Sequence, residues 1–232
     1  MSESGASPVA ARPVRVWDLP TRTFHWLLAA LVVFSIVSAR IGGGAMEWHF
    51  RSGYAIFTLL AFRLIWGFVG GRWSRFGAFF YSPATSWRYL RGRSRPDEHH
   101  HVGHNPLGAF SVFGLLAVLA LQVATGLFAD DDIATTGPLA KFVSGATTGR
   151  STWWHTAIGE WLIVAMIVLH VAAVLFYLVR RKNNLVGPMF SGNKLLPAHV
   201  PPSIDTVGSR MLALAIFGAA AWLVTWIVAL GD

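Results

Sequence analysis

The stretch WWHTAIGEWLIVAMIVLHVAAVL, residues 153–175, contains one acidic residue, no basic residue and two histidines, His155 and His170. About 20 apolar residues can cross the hydrocarbon core of a membrane as a helix, so the stretch predicts a transmembrane helix. Along that helix the two histidines would be about 22 Å and about 60° apart, on similar faces at different depths. Because an unpaired imidazole in hydrocarbon is costly, both are expected to face the bundle and to mark function.

The composition of the whole chain agrees with membrane insertion. Of its 232 residues, 54% are hydrophobic and 13% are charged, which is too apolar for a soluble domain. The formal net charge of +8 fits basic cytoplasmic loops better than a nucleic-acid partner. The absence of cysteine excludes disulfides, iron–sulfur ligation and thiolate zinc sites. Residues 1–20 have no long apolar run, so we expect no cleavable signal peptide.

Apolar segments of membrane-spanning length recur along the chain, at residues 24–41, 53–69, 107–129, 153–179 and 211–230. Asp18 and Asn105 are suitable caps for the first and third helices, and Pro20 and Pro106 suit the first turns that follow them. Glycines at 42–44 and 70–71 mark the ends of the first two segments. The sequence therefore predicts an all-α fold, an integral membrane bundle with five transmembrane helices.

Lysine and arginine are divided unevenly between the two sides of this bundle. The flanks on the side of the N-terminus hold Arg12, Arg15, Arg22, Arg72, Arg75, Arg88, Arg91, Arg93, Arg95, Arg180, Arg181, Lys182, Lys194 and Arg210. The opposite flanks hold only Arg40, Arg51, Lys141 and Arg150. The positive-inside rule therefore predicts a cytoplasmic N-terminus and, after five crossings, a C-terminus outside.

Two further histidines match the predicted depths of His155 and His170. His25 begins the first segment at its cytoplasmic end, the level of His170, and His49 begins the second at its outer end, the level of His155. The topology therefore pairs His25 with His170 and His49 with His155. Two imidazoles on opposite faces of a planar macrocycle are what six-coordinate haem requires, and such a site favours electron transfer.

Two other interpretations of the four histidines stay open at this point. Each imidazole could simply form a hydrogen bond between helices. A metal-ion site is the weaker alternative, because no carboxylate recurs beside each histidine pair.

A series of motifs resembles one known family. The motifs are VRVWDLPTRTFHWLL (14–28), FRLIWGFVG (62–70), GHNPLGA (103–109), ATGLF (124–128), WWHTAIGEW (153–161), VLHVAAVL (168–175) and RRKNNLVGPMFSGNK (180–194). In this order they resemble the bacterial cytochrome b561 family, especially its branch similar to the b-type cytochrome subunit of nickel–iron hydrogenases. The resemblance covers about residues 14–194.

This resemblance implies a four-helix protein of the bacterial cytoplasmic (inner) membrane with two haems b. Their iron ligands would be His25, His49, His155 and His170. The expected partners are ubiquinone or another membrane quinone, and a c-type cytochrome or a dehydrogenase or hydrogenase subunit. We expect a cytoplasmic tail at 1–20, the dihaem domain at 21–194, and a linker with an extra transmembrane helix at 195–232. That helix departs from the four-helix pattern and contains no histidine.

Three other residues are candidates for the cytoplasmic level of the bundle. Arg63 lies fourteen positions after His49, on a similar face, where it could bind a haem propionate or extend to lipid headgroups. Arg22, one turn before His25, could bind the same propionates or anchor the helix at the interface. His104 precedes the third helix and could relay a proton to a quinone. The run His99–His101 is more typical of a solvated loop than of a metal site.

The function expected from these residues is transmembrane electron transfer between a redox partner and the quinone pool of a respiratory chain. Two alternatives remain. One is a superoxide:quinone oxidoreductase, for which Arg40, Arg51, Lys141 and Arg150 would form a basic funnel opposed by the acidic run 130–132. The other is a haem-free transporter or sensor that uses the histidines for ions or protons.

Overall fold

The computed structural model describes residues 11–95, 98, 102–131 and 135–231, so the histidine run 99–101 lies outside the described residues. The described helices are α1 (Leu19–Ile41), α2 (Met46–Val69), α3 (Pro83–Leu90), α4 (Pro106–Leu127), α5 (Gly145–Trp153), α6 (Glu160–Val179), α7 (Val186–Ser191) and α8 (Val207–Ala229). A π-helical turn, Trp154–Gly159, joins α5 to α6 without a break.

Among the described residues, five helical stretches are long and apolar enough to cross a membrane, as the sequence predicts. They are Leu19–Ile41, Gly43–Val69, Pro106–Leu127, Gly145–Val179 and Val207–Ala229. The first begins at Leu19 because the side chain of the predicted cap, Asp18, accepts a hydrogen bond from the Thr21 amide, at 2.8 Å, and Asn105 caps α4 in the same way. The predicted membrane helical bundle is therefore confirmed.

The long helices pack around α2. It contacts α1, α4 and α8, and α4 in turn packs against α6 and the π-helical turn. One buried cluster, which includes Phe24, Phe62 and Ala220, joins α1, α2 and α8. Another, which includes Val32 and Ile163, joins α1 to α6. The helices that carry the four histidines are thus held by common apolar contacts.

A small antiparallel sheet, which the sequence did not predict, closes one end of the bundle. Strand β1 (Ala11–Arg15) pairs with β2 (Asn193–Pro197), with Arg15 opposite Asn193. The sheet contributes to a buried apolar cluster of Val14, Val16, Trp17, Val102, Leu196 and Val200. We call this the sheet end of the bundle. The helix α1 begins there, and α2 ends there.

Asp18 ties together the segments that meet at the sheet end. Its carboxylate is fully buried and accepts hydrogen bonds from the Thr21 amide, from the Trp66 indole at 3.1 Å and from the Ser74 hydroxyl at 2.6 Å. The Ser74 carbonyl accepts a further bond from Arg63, at 3.0 Å. One carboxylate therefore caps α1 and links it to the end of α2 and the loop that follows.

We predict that Asp18→Ala destabilises the protein by about 3 kcal/mol, because it removes a helix cap and leaves a buried indole and a buried hydroxyl without their acceptor. Thermal unfolding in detergent, followed by tryptophan fluorescence, measures the loss. Ser144→Ala is the matched control: Ser144 caps α5 at an exposed site, so its loss should cost about 1 kcal/mol. Equal losses in the two variants would contradict the linking role of Asp18.

Candidate functional site

The structure brings the four histidines together in the two pairs that the topology predicts. The ring centres of His25 in α1 and His170 in α6 are 6.4 Å apart, with the rings inclined at 50°. Those of His49 in α2 and His155 in the π-helical turn are 5.9 Å apart, with the rings inclined at 83°. Each pair joins two different helices, and the pairs lie at opposite ends of the bundle.

These separations match the size of a metal centre held by two axial imidazoles. Two metal–nitrogen bonds of about 2.0 Å, with roughly 1 Å from each nitrogen to the centre of its ring, put the ring centres about 6 Å apart. A direct hydrogen bond between two imidazoles would need nitrogens only about 3 Å apart and hence closer rings. The spacing therefore fits an atom held between each pair.

At the His49–His155 level, both rings are oriented by backbone carbonyls. The Nδ1 atom of His49 lies 2.9 Å from the Ser35 carbonyl, and the Nδ1 atom of His155 lies 2.9 Å from the Gln122 carbonyl. A carbonyl only accepts, so each Nδ1 must donate, which leaves each Nε2 with a free lone pair. This is the tautomer that binds a metal through Nε2.

A cavity of about 490 Å³ is lined by both His49 and His155. Its volume is in the usual range for cofactor sites. Gly126 of α4 lines it and lies against the His155 ring: a Cβ atom at residue 126 would be 2.8 Å from Cε1 of that ring. A larger residue would therefore push the imidazole out of place. Arg40 and Glu160, which form an ion pair at 2.6 Å, also line the cavity.

At the sheet-end level, several buried nitrogen atoms have no partner among the described residues. They are Nδ1 of His25, Nε of Arg22, Nη1 of Arg63 and Nδ1 of His104. Buried donors in native proteins are nearly always paired. Several unpaired nitrogens in one region therefore fit a polar or anionic group that binds there.

Arg63 is enclosed by the protein. Only 4% of its surface is exposed, so it does not extend to lipid headgroups. One guanidinium nitrogen donates to the Ser74 carbonyl, and the group lies 4.6 Å from the centre of the Phe76 ring and 6.0 Å from that of Phe24, next to His25. Its buried Nη1 atom, which has no partner among the described residues, therefore lies near the level of His25.

Arg22 and His104 occupy different positions at the same end. Arg22 donates from Nη1 to the Phe190 carbonyl in α7, so part of its role is to anchor that helix. The His104 ring packs 4.8 Å from that of Trp17 and 4.6 Å from that of Phe79. Burial, followed by the charges of Arg63, His170 and His25, lowers the pKa of His104 to about 3. It is therefore neutral at physiological pH.

Two residues of the site were missed from the sequence. Ser35 and Gln122 supply the carbonyls that orient His49 and His155, and backbone acceptors leave no residue-type signal. Gln122 did leave one signal, because it is the only amide side chain in the apolar segment 107–129. Polar residues within membrane helices commonly face other helices.

Comparisons with known proteins identify the family of this chain. The family model for prokaryotic cytochrome b561 matches residues 16–192. The chain belongs to this family. A probable Ni/Fe-hydrogenase B-type cytochrome subunit of Bradyrhizobium diazoefficiens is 23% identical over 225 residues, covering 82% of this chain and 90% of the relative. No solved structure matches the chain significantly.

Two further relatives carry similar names. The probable Ni/Fe-hydrogenase 1 B-type cytochrome subunit of Escherichia coli K12 is 26% identical, covering 76% of this chain and 88% of the relative. The probable Ni/Fe-hydrogenase B-type cytochrome subunit of Cupriavidus necator is 27% identical, covering 81% and 89%. Membership of a b-type cytochrome family implies haem b, electron transfer and a multi-pass bacterial membrane protein.

Proposed function

We propose that this cytochrome binds two haems b and transfers electrons across the inner membrane, between a redox partner and the quinone pool of a respiratory chain. The observation that carries the proposal is the presence of two histidine pairs, with ring centres 6.4 and 5.9 Å apart, at opposite ends of one bundle. His25 and His170 would hold one haem, and His49 and His155 the other. The iron of each haem supplies one-electron chemistry.

The residues around each pair would orient the ligands and exclude water. Carbonyls of Ser35 and Gln122 keep Nε2 of His49 and His155 available. The apolar helices around them provide a low-dielectric surrounding, which strengthens the electrostatic influence of nearby groups. The haem-binding unit would lie within residues 21–194, with a tail at 1–20 before it and α8 in the extension at 195–232.

The unpaired nitrogens at the sheet end support propionate binding there. We assign this role first to Arg63, whose buried Nη1 atom lacks a partner among the described residues, and second to Nε of Arg22. A guanidinium is a strong partner for a carboxylate. His104 stays a candidate to bond or to relay a proton to a quinone headgroup, because its Nδ1 atom is buried without a partner among the described residues.

The proposed orientation places the sheet end in the cytoplasm and the C-terminus in the periplasm. It rests on the excess of Lys and Arg on the flanks that adjoin the sheet end. The names of the relatives suggest a hydrogenase subunit as the redox partner, and a c-type cytochrome or another dehydrogenase would use the same outer surface. The His49–His155 level would then be nearer the partner, and the His25–His170 level nearer the cytoplasm.

The first test is haem stoichiometry. We expect purified protein to contain two haems per chain by the pyridine haemochrome assay, and His170→Ala or His155→Ala to contain about one, because each loses one axial ligand. His199→Ala is the control, since His199 is exposed and outside both pairs. Two haems in His170→Ala, or none in the wild-type protein, would contradict the proposal.

The second test concerns Arg63. We expect Arg63→Leu to lower the midpoint potential of one haem by on the order of 50 mV, because a buried positive charge that favours the reduced state is lost. Arg63→Lys, which keeps the charge, should have a smaller effect. Arg91→Leu removes an exposed arginine and serves as the control. A redox titration that gives identical potentials in Arg63→Leu and the wild type would refute the assignment.

The third test concerns the quinone. We expect dithionite-reduced protein in liposomes, freed of excess reductant, to be reoxidised anaerobically when a soluble ubiquinone or menaquinone analogue is added. The change in haem absorbance in a stopped-flow instrument measures the rate. His170→Ala should be reoxidised more slowly if the quinone reacts at the sheet end. Failure of both analogues to reoxidise the wild-type protein would exclude the quinone from the proposed function.

A further inference from the structure

The helix that carries His155 changes its hydrogen-bond pattern at that residue. Between α5 and α6, the six residues Trp154–Gly159 form a π-helical turn, and His155 is the second of them. Such turns have i→i+5 bonds, are rare, and occur often at functional sites. A π-helical turn in a membrane helix also needs its backbone groups satisfied, because lipid offers no hydrogen bonds.

Two hydrogen bonds join Gln122 of α4 to His155 in this turn. Its side-chain Nε2 atom donates to the backbone carbonyl of His155, at 2.8 Å, and its own backbone carbonyl lies 2.9 Å from Nδ1 of the His155 ring. The first bond holds the backbone of the π-helical turn, and the second holds the imidazole. One residue thus restrains His155 at its backbone carbonyl and at Nδ1 of its ring.

Gly159 leaves the space that the Gln122 amide occupies. It is buried in the last position of the π-helical turn, and a Cβ atom there would collide with Oε1 of Gln122. Gly126 lies one helical turn after Gln122, on the same face of α4, and is close to the His155 ring. Together Gln122, Gly126 and Gly159 let α4 approach the turn closely.

The wide turn also affects how the two histidines of this helix are aligned. In an uninterrupted α-helix, His155 and His170 would be about 60° apart in rotation. A π-helical turn holds more residues per turn, so each of its residues advances by less than about 100°. The wider turn would reduce this offset, in agreement with the way His170 faces His25 of α1 and His155 faces His49 of α2.

We propose that Gln122 is the positioning residue for His155: its side-chain amide stabilises the π-helical turn that directs the imidazole toward His49. The inference rests on the proposed function, because the purpose of that direction is a shared haem iron. The amide acts on the backbone of His155 and has no direct role at the metal. Replacing the side chain leaves the Gln122 carbonyl in place and therefore isolates the contribution of the amide.

The test measures haem release to excess apomyoglobin from the intact protein in detergent, where two haems should give two kinetic phases. The phase missing in His155→Ala belongs to the His49–His155 level. We expect Gln122→Met, which keeps the length of the side chain without a donor, to accelerate that phase roughly tenfold and to leave the other unchanged. The low-spin electron paramagnetic resonance signal of the same haem should shift, because the axial ring turns.

Two further variants separate positioning from general stability. Thr225→Val is the control, since the hydroxyl of Thr225 in α8 bonds the Ala221 carbonyl of its own helix, and neither phase should change. Gly159→Ala should reproduce the effect of Gln122→Met by displacing the amide. In a Gln122→Ala background, which vacates that space, Gly159→Ala should add little, as expected for sites that act through one contact.

The possible results distinguish the inference from the proposed function. Acceleration of the His155 phase alone, with a non-additive double variant, supports the inference. Unchanged release, equal acceleration of both phases, or full additivity overturns it while the two-haem function stands. A wild-type protein that contains no haem contradicts both.

Discussion

The need to satisfy imidazole rings inside an apolar bundle is the constraint on which this structure depends. Each ring has two nitrogens, and lipid offers neither a donor nor an acceptor. At one level the Nδ1 atoms of His49 and His155 meet backbone carbonyls, and the two rings face each other at 5.9 Å. Each Nε2 atom therefore keeps a free lone pair, and both histidines line the same cavity. Only a group that binds both satisfies them together.

The two ends of the bundle meet this constraint in different ways. At the His49–His155 level the rings are restrained by carbonyls of α1 and α4. At the sheet end the Nδ1 atom of His25 has no partner among the described residues, and the unpaired nitrogens of Arg63 and His104 lie in the same region. At one level the protein itself therefore holds both histidine rings, whereas at the other several buried nitrogens, including Nδ1 of His25, are available to an additional anionic group. A haem with two propionates would satisfy that second arrangement.

The sequence predicted the parts of the fold that depend on hydropathy and local chemistry. The five spans follow from apolar length, and the starts of α1 and α4 follow from Asp18 and Asn105, whose side chains can replace a missing backbone acceptor. The pairing of the histidines was predicted from topology alone, because successive helices cross the membrane in opposite directions. Their role as haem ligands, and the roles of Arg63, Arg22 and His104, stay predictions.

Other features depend on contacts that no local pattern contains. Strands β1 and β2 are five residues each and pair across about 180 positions, so neither has a signal of its own. The π-helical turn at Trp154–Gly159 has an ordinary helical sequence and is held by Gln122 of another helix. The packing of helix α8 is also of this kind, although the helix itself was predicted from its apolar length. Because α8 contains no histidine, the sequence indicated no role for it, whereas its packing against α2 indicates one.

Helix α8 supports the helix that carries both His49 and Arg63. Lipid is as apolar as leucine, so membrane helices associate through close packing rather than through the hydrophobic effect. Ala213 and Ala220 of α8 are buried in the cluster that includes Phe62, and the Phe217 ring lies 6.3 Å from that of Phe62.

The start of α8 is held to the sheet as well. Asp205 forms ion pairs with Arg210, at 2.9 Å, and with Arg15 of β1, at 3.3 Å. The same sheet covers the segment that leads to Asp18 and hence to the end of α2. Helix α8 and the sheet are therefore connected supports on α2, one along its side and one at its end. Because α2 contributes to both histidine levels, through His49 at one end and Arg63 at the other, its rigid placement keeps the two sites in a fixed relation.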